Sequence, residues 1–278
     1  TVEPVNRWHK ENEAYLVNRQ PIATVGVVWS QDNTDFYGRD NADELVELPC
    51  RGMAQALIRA RIPYLPVHAD HIDRDAPQFS LLILPNFAAI SDAQIASIRR
   101  FVEQGGNLVA TGVSSLYNEW GDSRGDFALA DLFGAHATGT RLGSADSPER
   151  SWAGQTLHTY LRLHPELRAG VDGPKAGTEP PVSGERHPVL SGFEETDILP
   201  FGGLLEPIQT DANTIVPMTF IPAFPIYPPE TAWMRVERTN IPALVLNTTA
   251  RGGRVAYLPS DIDRRFARDN LPDQGNLL

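Results

Sequence analysis

Acidic side chains near the ends of apolar segments are the most abundant candidates for chemistry in this sequence. A glycosidase of the usual kind needs two carboxyl groups about 5–10 Å apart on either side of the scissile bond. The available acids are Glu119, Glu194, Glu195, Glu230, Asp261 and Asp263. No spacing brings any two of them together, and such acids are most often solvated or cap helices. We therefore favour the structural interpretation over a glycosidase pair.

Serine and metal chemistry have weaker signals. Ser114 and Ser115 lie in "TGVSS", which does not match the G-x-S-x-G pattern of a nucleophile elbow. The segment "HADH" (68–71) could place two histidines on one zinc ion, but it is more often a polar strand end with Asp70 as a helix cap. Cys50 is the only cysteine, which excludes an intrachain disulfide and a cysteine-based metal site. We predict neither a metal nor a cofactor.

A proline-rich aromatic loop, "FPIYPPETAWMR" (224–235), is the most distinctive stretch. Its prolines exclude a helix interior or a central strand, because proline fixes φ and lacks a backbone donor. Tyr227 and Trp233, with Glu230 and Arg235, would suit either a sugar or a protein interface. An equally weighted alternative is a rigid loop that packs its own aromatic rings over a sheet edge.

Other candidate contact residues follow predicted strands. Tyr37 follows the first strand, and Tyr117 and Trp120 lie in "SSLYNEWGD" (114–122). Asp261 follows the last strand, where it could bind a ligand or cap the next helix, and we favour the cap. We expect Arg264 and Arg265 to pair with nearby acids.

Apolar strands alternate with amphipathic helices in the first half of the chain. Because strands joined by helices form parallel sheets, we predict an α/β fold of flavodoxin-like strand order with helices on both faces. Functional loops would then lie at the carboxyl ends of the strands. The predicted strands are 22–29, 62–68, 79–86 and 107–112, and the predicted helices are 41–62, in which Pro49 marks a kink or the true start, and 91–106.

The second half has a different character. Residues 138–187 are rich in Gly, Ser and Pro without strong periodicity, and strands are predicted at 214–220, 241–247 and 253–259. We assign residues 1–137 to an α/β core. We assign residues 138–278 to a β-rich insertion and the final strands that complete the same domain.

Composition limits the partners and the compartment. A net charge of −11 argues against nucleic acid and anionic membranes, since both require basic patches. A single cysteine and the lack of a signal-peptide pattern favour the cytoplasm. The sequence starts without Met and stops within a helix-like segment, so we expect a piece of a longer protein.

Several segments together resemble known families. Strand, helix and "GGNLVATG" (105–112) resemble the class I glutamine amidotransferase-like fold, with its nucleophile elbow at Gly112. The set as a whole is similar to the trimerisation domain that follows the catalytic barrel in bacterial β-galactosidase-type glycoside hydrolases. The segments that carry this resemblance are "VGVVWSQDNTDFYG" (25–38), "FVEQGGNLVATGVSSLYNEWGD" (101–122), "HPVLSGFEETDILPFGG" (187–203), 224–235 and "GGRVAYLPSDIDRRF" (252–266).

The resemblance implies a noncatalytic accessory domain. Such a domain would form a homo-oligomer, a dimer or trimer, and would shape a carbohydrate-binding cleft with the missing catalytic barrel. Gly112 offers no nucleophile, and Cys50 lies on the first helix rather than at the elbow. Two alternatives remain: a free-standing hydrolase or amidotransferase-like enzyme with an unrecognised site, and a small-molecule sensor domain. A Ser, a His and an acid in contact within a pocket would favour the hydrolase.

Overall fold

A computed structural model describes residues 2–143, 159–167, 184–224 and 228–278 of the chain. Tyr227 and most of the Gly- and Pro-rich stretches therefore lie outside the described residues. The helices are α1 Glu3–Glu11, α2 Glu13–Leu16, α3 Leu48–Arg59, α4 Ile72–Asp75, α5 Asp92–Glu103, α6 Ala130–Phe133, α7 Ile262–Asp269 and α8 Pro272–Leu277. The strands are β1 Val25–Trp29, β2 Tyr64–His68, β3 Leu81–Leu84, β4 Asn107–Thr111, β5 Ala135–Ala137, β6 Leu142–Gly143, β7 Tyr160–Leu163, β8 Ile198–Pro200, β9 Leu204–Leu205, β10 Ile208–Thr210, β11 Ile215–Ile221, β12 Pro242–Thr248 and β13 Arg254–Leu258.

A nine-stranded mixed sheet organises the fold, in the order β2-β1-β3-β4-β13-β12-β11-β7-β8. The first five strands of this order are parallel, and the pairings from β13 to β8 are antiparallel. The strand order reverses between β1 and β3, because the chain moves from β1 to β2 on one side and then crosses to β3 on the other. The last parallel strand, β13, comes from the second half of the sequence. Both halves of the chain therefore contribute to one sheet.

Helices cover both faces of the parallel part. On one face, Ile98 and Val102 of α5 pack with Leu82, Leu84 and Leu108. Met53 and Leu57 of α3 pack on the opposite face, in a cluster with Val25, Val27 and Ile83. This division follows from the strand geometry, since successive side chains point to opposite faces.

The predicted helix over 41–62 differs in its first part. Residues Asp43–Glu47 form a π-helical turn, and the regular helix α3 begins at Leu48 with Pro49 in its first turn. Proline lacks the amide hydrogen and its ring clashes with the carbonyl four residues earlier, so a regular α-helix cannot run through this point. The predicted helix over 91–106 is present as α5, and Ser91 and Gln94 form its capping box.

The three strands predicted in the second half are present as β11, β12 and β13. A turn joins β12 to β13, in which the Thr249 amide donates to the Gly253 carbonyl over 2.8 Å. Among the described residues, no helix is both long and apolar enough to cross a bilayer.

Candidate functional site

The predicted elbow lies at the carboxyl end of β4. Gly112 adopts a left-handed conformation with φ of +59°. A Cβ atom placed there would lie 2.2 Å from Asn86 Oδ1. Glycine is thus required both by the backbone conformation and by the lack of space. The volume next to Gly112, where a nucleophilic side chain would begin, is occupied by the side chain of Asn86.

Asn86 also uses the backbone donor that follows the elbow. Its Oδ1 accepts from the Val113 amide over 2.9 Å, and its Nδ2 donates to the Leu45 carbonyl over 2.7 Å. In a nucleophile elbow, the amide after the nucleophile helps to form the oxyanion hole. Here the Val113 amide already bonds Asn86, so it is not available to a substrate. The elbow also lacks a nucleophile, because Gly112 has no side chain.

The two serines after the elbow are fully buried. Ser114 Oγ accepts from the Phe87 amide over 3.0 Å and lies 2.8 Å from the Thr111 carbonyl oxygen to which it donates. Ser115 Oγ accepts from the Leu129 amide over 3.2 Å. No hydrogen bond in the described part of the chain joins either hydroxyl to a histidine, the usual general base of serine catalysis.

Cys50 is also a poor nucleophile. It lies on α3, and burial raises the pKa of its thiol to about 12, with smaller contributions from Asp263 and Glu47. Since the thiolate is the reactive form, this cysteine is almost wholly protonated near neutral pH.

The buried acid Asp263 bonds Thr111, the residue that precedes the elbow at Gly112. Asp263 Oδ2 accepts from Thr111 Oγ1 over 2.5 Å, and its Oδ1 accepts from the Arg264 amide over 2.8 Å. Burial raises the pKa of Asp263 to about 7, although the Thr111 hydrogen bond opposes this. The Asp263 side chain is fully inaccessible to solvent. Its hydrogen bond with Thr111 joins α7 to β4.

Asp261 does not cap α7, so our preferred interpretation of this residue was wrong. Its side chain accepts no hydrogen bond from a backbone amide in the first turn of the helix. Instead Oδ1 accepts from the Leu204 amide over 2.8 Å, and Oδ2 accepts from Arg264 Nη2 over 2.5 Å. Both oxygens of the Asp261 carboxylate are therefore bonded, one to the Leu204 amide of β9 and one to the Arg264 guanidinium, and not to the helix amides.

The expected pairing of the two adjacent arginines is confirmed. Arg264 also bonds Glu44 over 3.0 Å, and Arg265 pairs with Asp269 over 2.5 Å. Both arginines therefore form ion pairs within α7 or between α7 and its neighbouring segments.

Four side chains meet at the carboxyl edge of the parallel strands: Tyr37, Tyr117, Arg141 and Glu206, which we call the Arg141 cluster. The π-helical turn Asn33–Gly38 positions Tyr37, and the loop after β4 positions Tyr117. Their ring centroids are 5.1 Å apart. Arg141 Nε donates to Glu206 Oε2 over 3.2 Å, and Arg141 Nη2 lies 3.5 Å from the Tyr37 hydroxyl.

The cluster is partly buried. The side chain of Arg141 is 33% exposed and that of Glu206 is 5% exposed. Burial raises the pKa of Glu206, and the Arg141 guanidinium opposes this increase. Burial also raises the pKa of the Tyr117 phenol. The cluster therefore offers phenol, guanidinium and carboxylate groups, with partial access from solvent.

Sequence reasoning identified Tyr37 and Tyr117 separately and missed Arg141 and Glu206. Arg141 lies in a stretch without periodicity, and Glu206 follows the two-residue strand β9. Backbone pairing with the residues just after β13 brings this segment into place, through the Glu206 amide on the Pro259 carbonyl at 2.7 Å and the Asp261 amide on the Leu204 carbonyl at 3.0 Å. No local sequence signal could have indicated that contact.

The remaining predicted aromatic residues lie on exposed loops. Trp120 is 59% exposed and its ring contacts Phe36 at 5.2 Å in an edge-to-face arrangement. Trp233 is 45% exposed, and the Arg235 guanidinium lies 3.6 Å from the centroid of its ring. Arg235 Nη2 also donates to the Thr231 carbonyl over 2.9 Å.

Glu230, in the same loop, is exposed within the turn Pro229–Thr231. No contact within the described ranges links Trp233 or Arg235 to the Arg141 cluster.

The histidine pair at 68 and 71 differs from expectation in one detail. His68 Nδ1 accepts from the Asp70 amide over 3.3 Å, so His68 rather than Asp70 caps the turn Ala69–His71. The parts of the chain that the structure describes contain no group of three or more His, Cys, Asp and Glu side chains placed to hold a metal ion.

The chain is similar in structure to parts of several glycoside hydrolases, although no family model and no curated protein matches its sequence. A β-galactosidase from Bacillus circulans sp. alkalophilus is 14% identical with a TM-score of 0.59, covering 95% of this chain and 32% of its own. Alpha-L-fucosidase isoenzyme 2 from Paenibacillus thiaminolyticus is 16% identical with a TM-score of 0.60, covering 98% and 34%.

An exo-β-1,4-mannosidase from Opitutaceae bacterium strain TAV5 is 12% identical with a TM-score of 0.55, covering 99% of this chain and 38% of its own. The chain thus spans about a third of the length of each of these three proteins. At these identities the likeness defines a shared fold, one that occurs in glycoside hydrolases.

Proposed function

We propose that this chain is a noncatalytic accessory domain of a carbohydrate-active enzyme, of the amidotransferase-like, β-galactosidase trimerisation type. Its function is to hold subunits together as a dimer or trimer and to shape the sugar-binding cleft beside a separate catalytic barrel. The main support is that nearly the whole chain superposes on about a third of several glycoside hydrolases. In this proposal, residues 1–137 and 138–278 belong to one domain with a flavodoxin-like parallel core.

The elbow at Gly112, which the Asn86 side chain fills, supports the noncatalytic part of the proposal. Gly112 supplies no nucleophile, Asn86 occupies the adjacent space, and the Val113 amide is already bonded. Ser114 and Ser115 are buried in backbone hydrogen bonds. These contacts disfavour the alternative of a free-standing hydrolase or amidotransferase-like enzyme at this position.

A turnover assay tests this proposal. The purified 278-residue chain should release no product above the buffer rate from aryl glycosides, aryl esters or glutamine. Ser114→Ala and Ser115→Ala serve as matched variants, and we expect them to give the same background rate. Turnover by the chain that either substitution abolishes would contradict the proposal.

A further inference from the structure

We propose that the Arg141 cluster is a binding site for a neutral saccharide, in which two neighbouring hydroxyl groups of the sugar bond to Arg141 and Glu206. The inference rests on the proposed function for its choice of sugars, but the site is built from this chain alone and needs no catalytic barrel. It assigns a ligand to the accessory domain itself.

The location of the cluster is the first argument. Tyr37 follows β1, and Tyr117 forms a bridge with Ala89 beyond the end of β3. The strand order reverses between these two strands. Open α/β sheets bind ligands at such a reversal, beyond the carboxyl ends of the strands, because the loops on its two sides diverge and leave a crevice.

The charge balance of the cluster is the second argument. Arg141 and Glu206 form one ion pair at 3.2 Å, so the site has opposite charges side by side. An anion would lie next to the Glu206 carboxylate, and a cation would lie next to the Arg141 guanidinium. A neutral ligand with both donors and acceptors avoids both repulsions.

The unused hydrogen-bonding capacity is the third argument. Glu206 Oε1 forms no hydrogen bond with other described residues, because its partner oxygen Oε2 takes the Arg141 Nε donor. Arg141 has five N–H donors, of which one bonds Glu206 and others face the Tyr37 and Tyr117 hydroxyls. A sugar hydroxyl can accept from the guanidinium while its neighbour donates to the carboxylate. Two neighbouring sugar hydroxyls therefore match the Arg141 guanidinium and the Glu206 carboxylate, which lie side by side.

The two phenol rings supply the remaining surface. Tyr37 and Tyr117 are both partly exposed, and their rings are inclined by 44°. An aromatic ring combines an apolar face with a polar edge, which suits the C–H face of a pyranose and its rim of hydroxyls. The cluster therefore has the two kinds of contact that a monosaccharide requires.

Saturation-transfer NMR on the 278-residue chain tests this proposal. The probes are D-galactose, L-fucose and D-mannose at millimolar concentrations, with acetate and ethylamine as charged probes. We expect saturable transfer to at least one sugar and to neither charged probe. Glu206→Gln removes a charged acceptor and Arg141→Lys removes the planar fork of donors, so each should weaken sugar binding about tenfold or more.

Tyr117→Phe provides a second, milder variant that leaves the ion pair intact, and it should weaken binding less than Glu206→Gln. Asp131→Asn, in the exposed Arg99–Asp131 pair, is the matched control and should leave sugar binding unchanged. Thermal melting of every variant separates loss of binding from loss of fold.

Absence of sugar binding by the folded chain would overturn the proposal, as would sugar binding that survives both Glu206→Gln and Arg141→Lys. Preferential binding of acetate or ethylamine would do the same. None of these results bears on assembly or turnover, so the proposed function would be judged separately.

Discussion

Substituting alanine for Gly112 should destabilise the fold by about 2–5 kcal/mol, which is the sum of two effects. The first is the left-handed backbone at φ of +59°, which costs a residue with a Cβ atom about 1–2 kcal/mol. The second is the new Cβ atom, which would lie 2.2 Å from Asn86 Oδ1. Moving Asn86 away breaks its bond to the Val113 amide and leaves a buried donor unpaired, at about 1–3 kcal/mol.

Gly105→Ala is the matched control for the backbone effect. Gly105 also has a positive φ, of +95°, but a Cβ atom there would meet nothing within 4 Å. Urea unfolding of both variants should give a loss of about 1–2 kcal/mol for Gly105→Ala and a clearly larger loss for Gly112→Ala.

A double-mutant cycle with Asn86→Ala separates the two effects. In the Asn86→Ala background the contacts with Oδ1 and Cγ are gone and only the Cβ atom of residue 86 remains close, at 3.3 Å, so Gly112→Ala should cost little more than the backbone effect. Equal losses for Gly112→Ala and Gly105→Ala, or a cost at Gly112 that Asn86→Ala leaves unchanged, would refute the filled-elbow interpretation.

Three further predictions concern the buried acid Asp263, the aromatic loop and the partly buried thiol of Cys50. Because the folded pKa of Asp263, about 7, is above its ordinary 3.8, the native state keeps a proton that the unfolded chain loses. The contribution of Asp263 to the unfolding free energy should therefore fall by up to about 4 kcal/mol as pH rises from about 4 to 7, so the stability of the chain relative to Asp263→Asn should fall over this range, whereas its stability relative to the exposed Asp40→Asn should not. Trp233→Ala should lower stability by no more than about 1 kcal/mol, the value of its exposed cation–π contact, and should weaken self-association by about 2 kcal/mol if the ring is an interface anchor; a large melting loss with unchanged association would return the loop to a packing role. Cys50 should react with a thiol-specific disulfide reagent at pH 8 far more slowly than a free cysteine, because little of its thiol is ionised, and labelling of the native chain at the rate of free cysteine would contradict the raised thiol pKa.

The sequence predicted the inner parallel strands β1 and β3 well because they are largely buried on both faces and appear as continuous apolar runs. "VGVVW" (25–29) and "LLIL" (81–84) are examples, and α5 carries its own start signal in Ser91. These elements are specified by local pattern and capping, which need no knowledge of distant contacts.

Long-range contacts explain what the sequence did not predict. The hydrogen bond of Asp261 to the Leu204 amide depends on β9 lying beside the end of β13. The pairing of Arg141 with Glu206 joins residues 65 positions apart. Spacing rules describe helices and strands, but they contain no information on which loops meet at a sheet edge.

The positions of Tyr37 and Tyr117 show an intermediate case. Each was selected as an aromatic residue after a predicted strand, and parallel strands bring such ends to one edge. Their 5.1 Å ring contact follows from that rule, whereas Trp233 and Arg235 lie on a loop that the rule does not cover.

The solution mass of the isolated chain tests the central claim, an accessory domain that assembles subunits, most directly. Multi-angle light scattering above micromolar concentration should give two or three times the chain mass of 30.6 kDa, because closed symmetric assembly is the norm for soluble oligomers. A mass of 30.6 kDa at every concentration would contradict the claim.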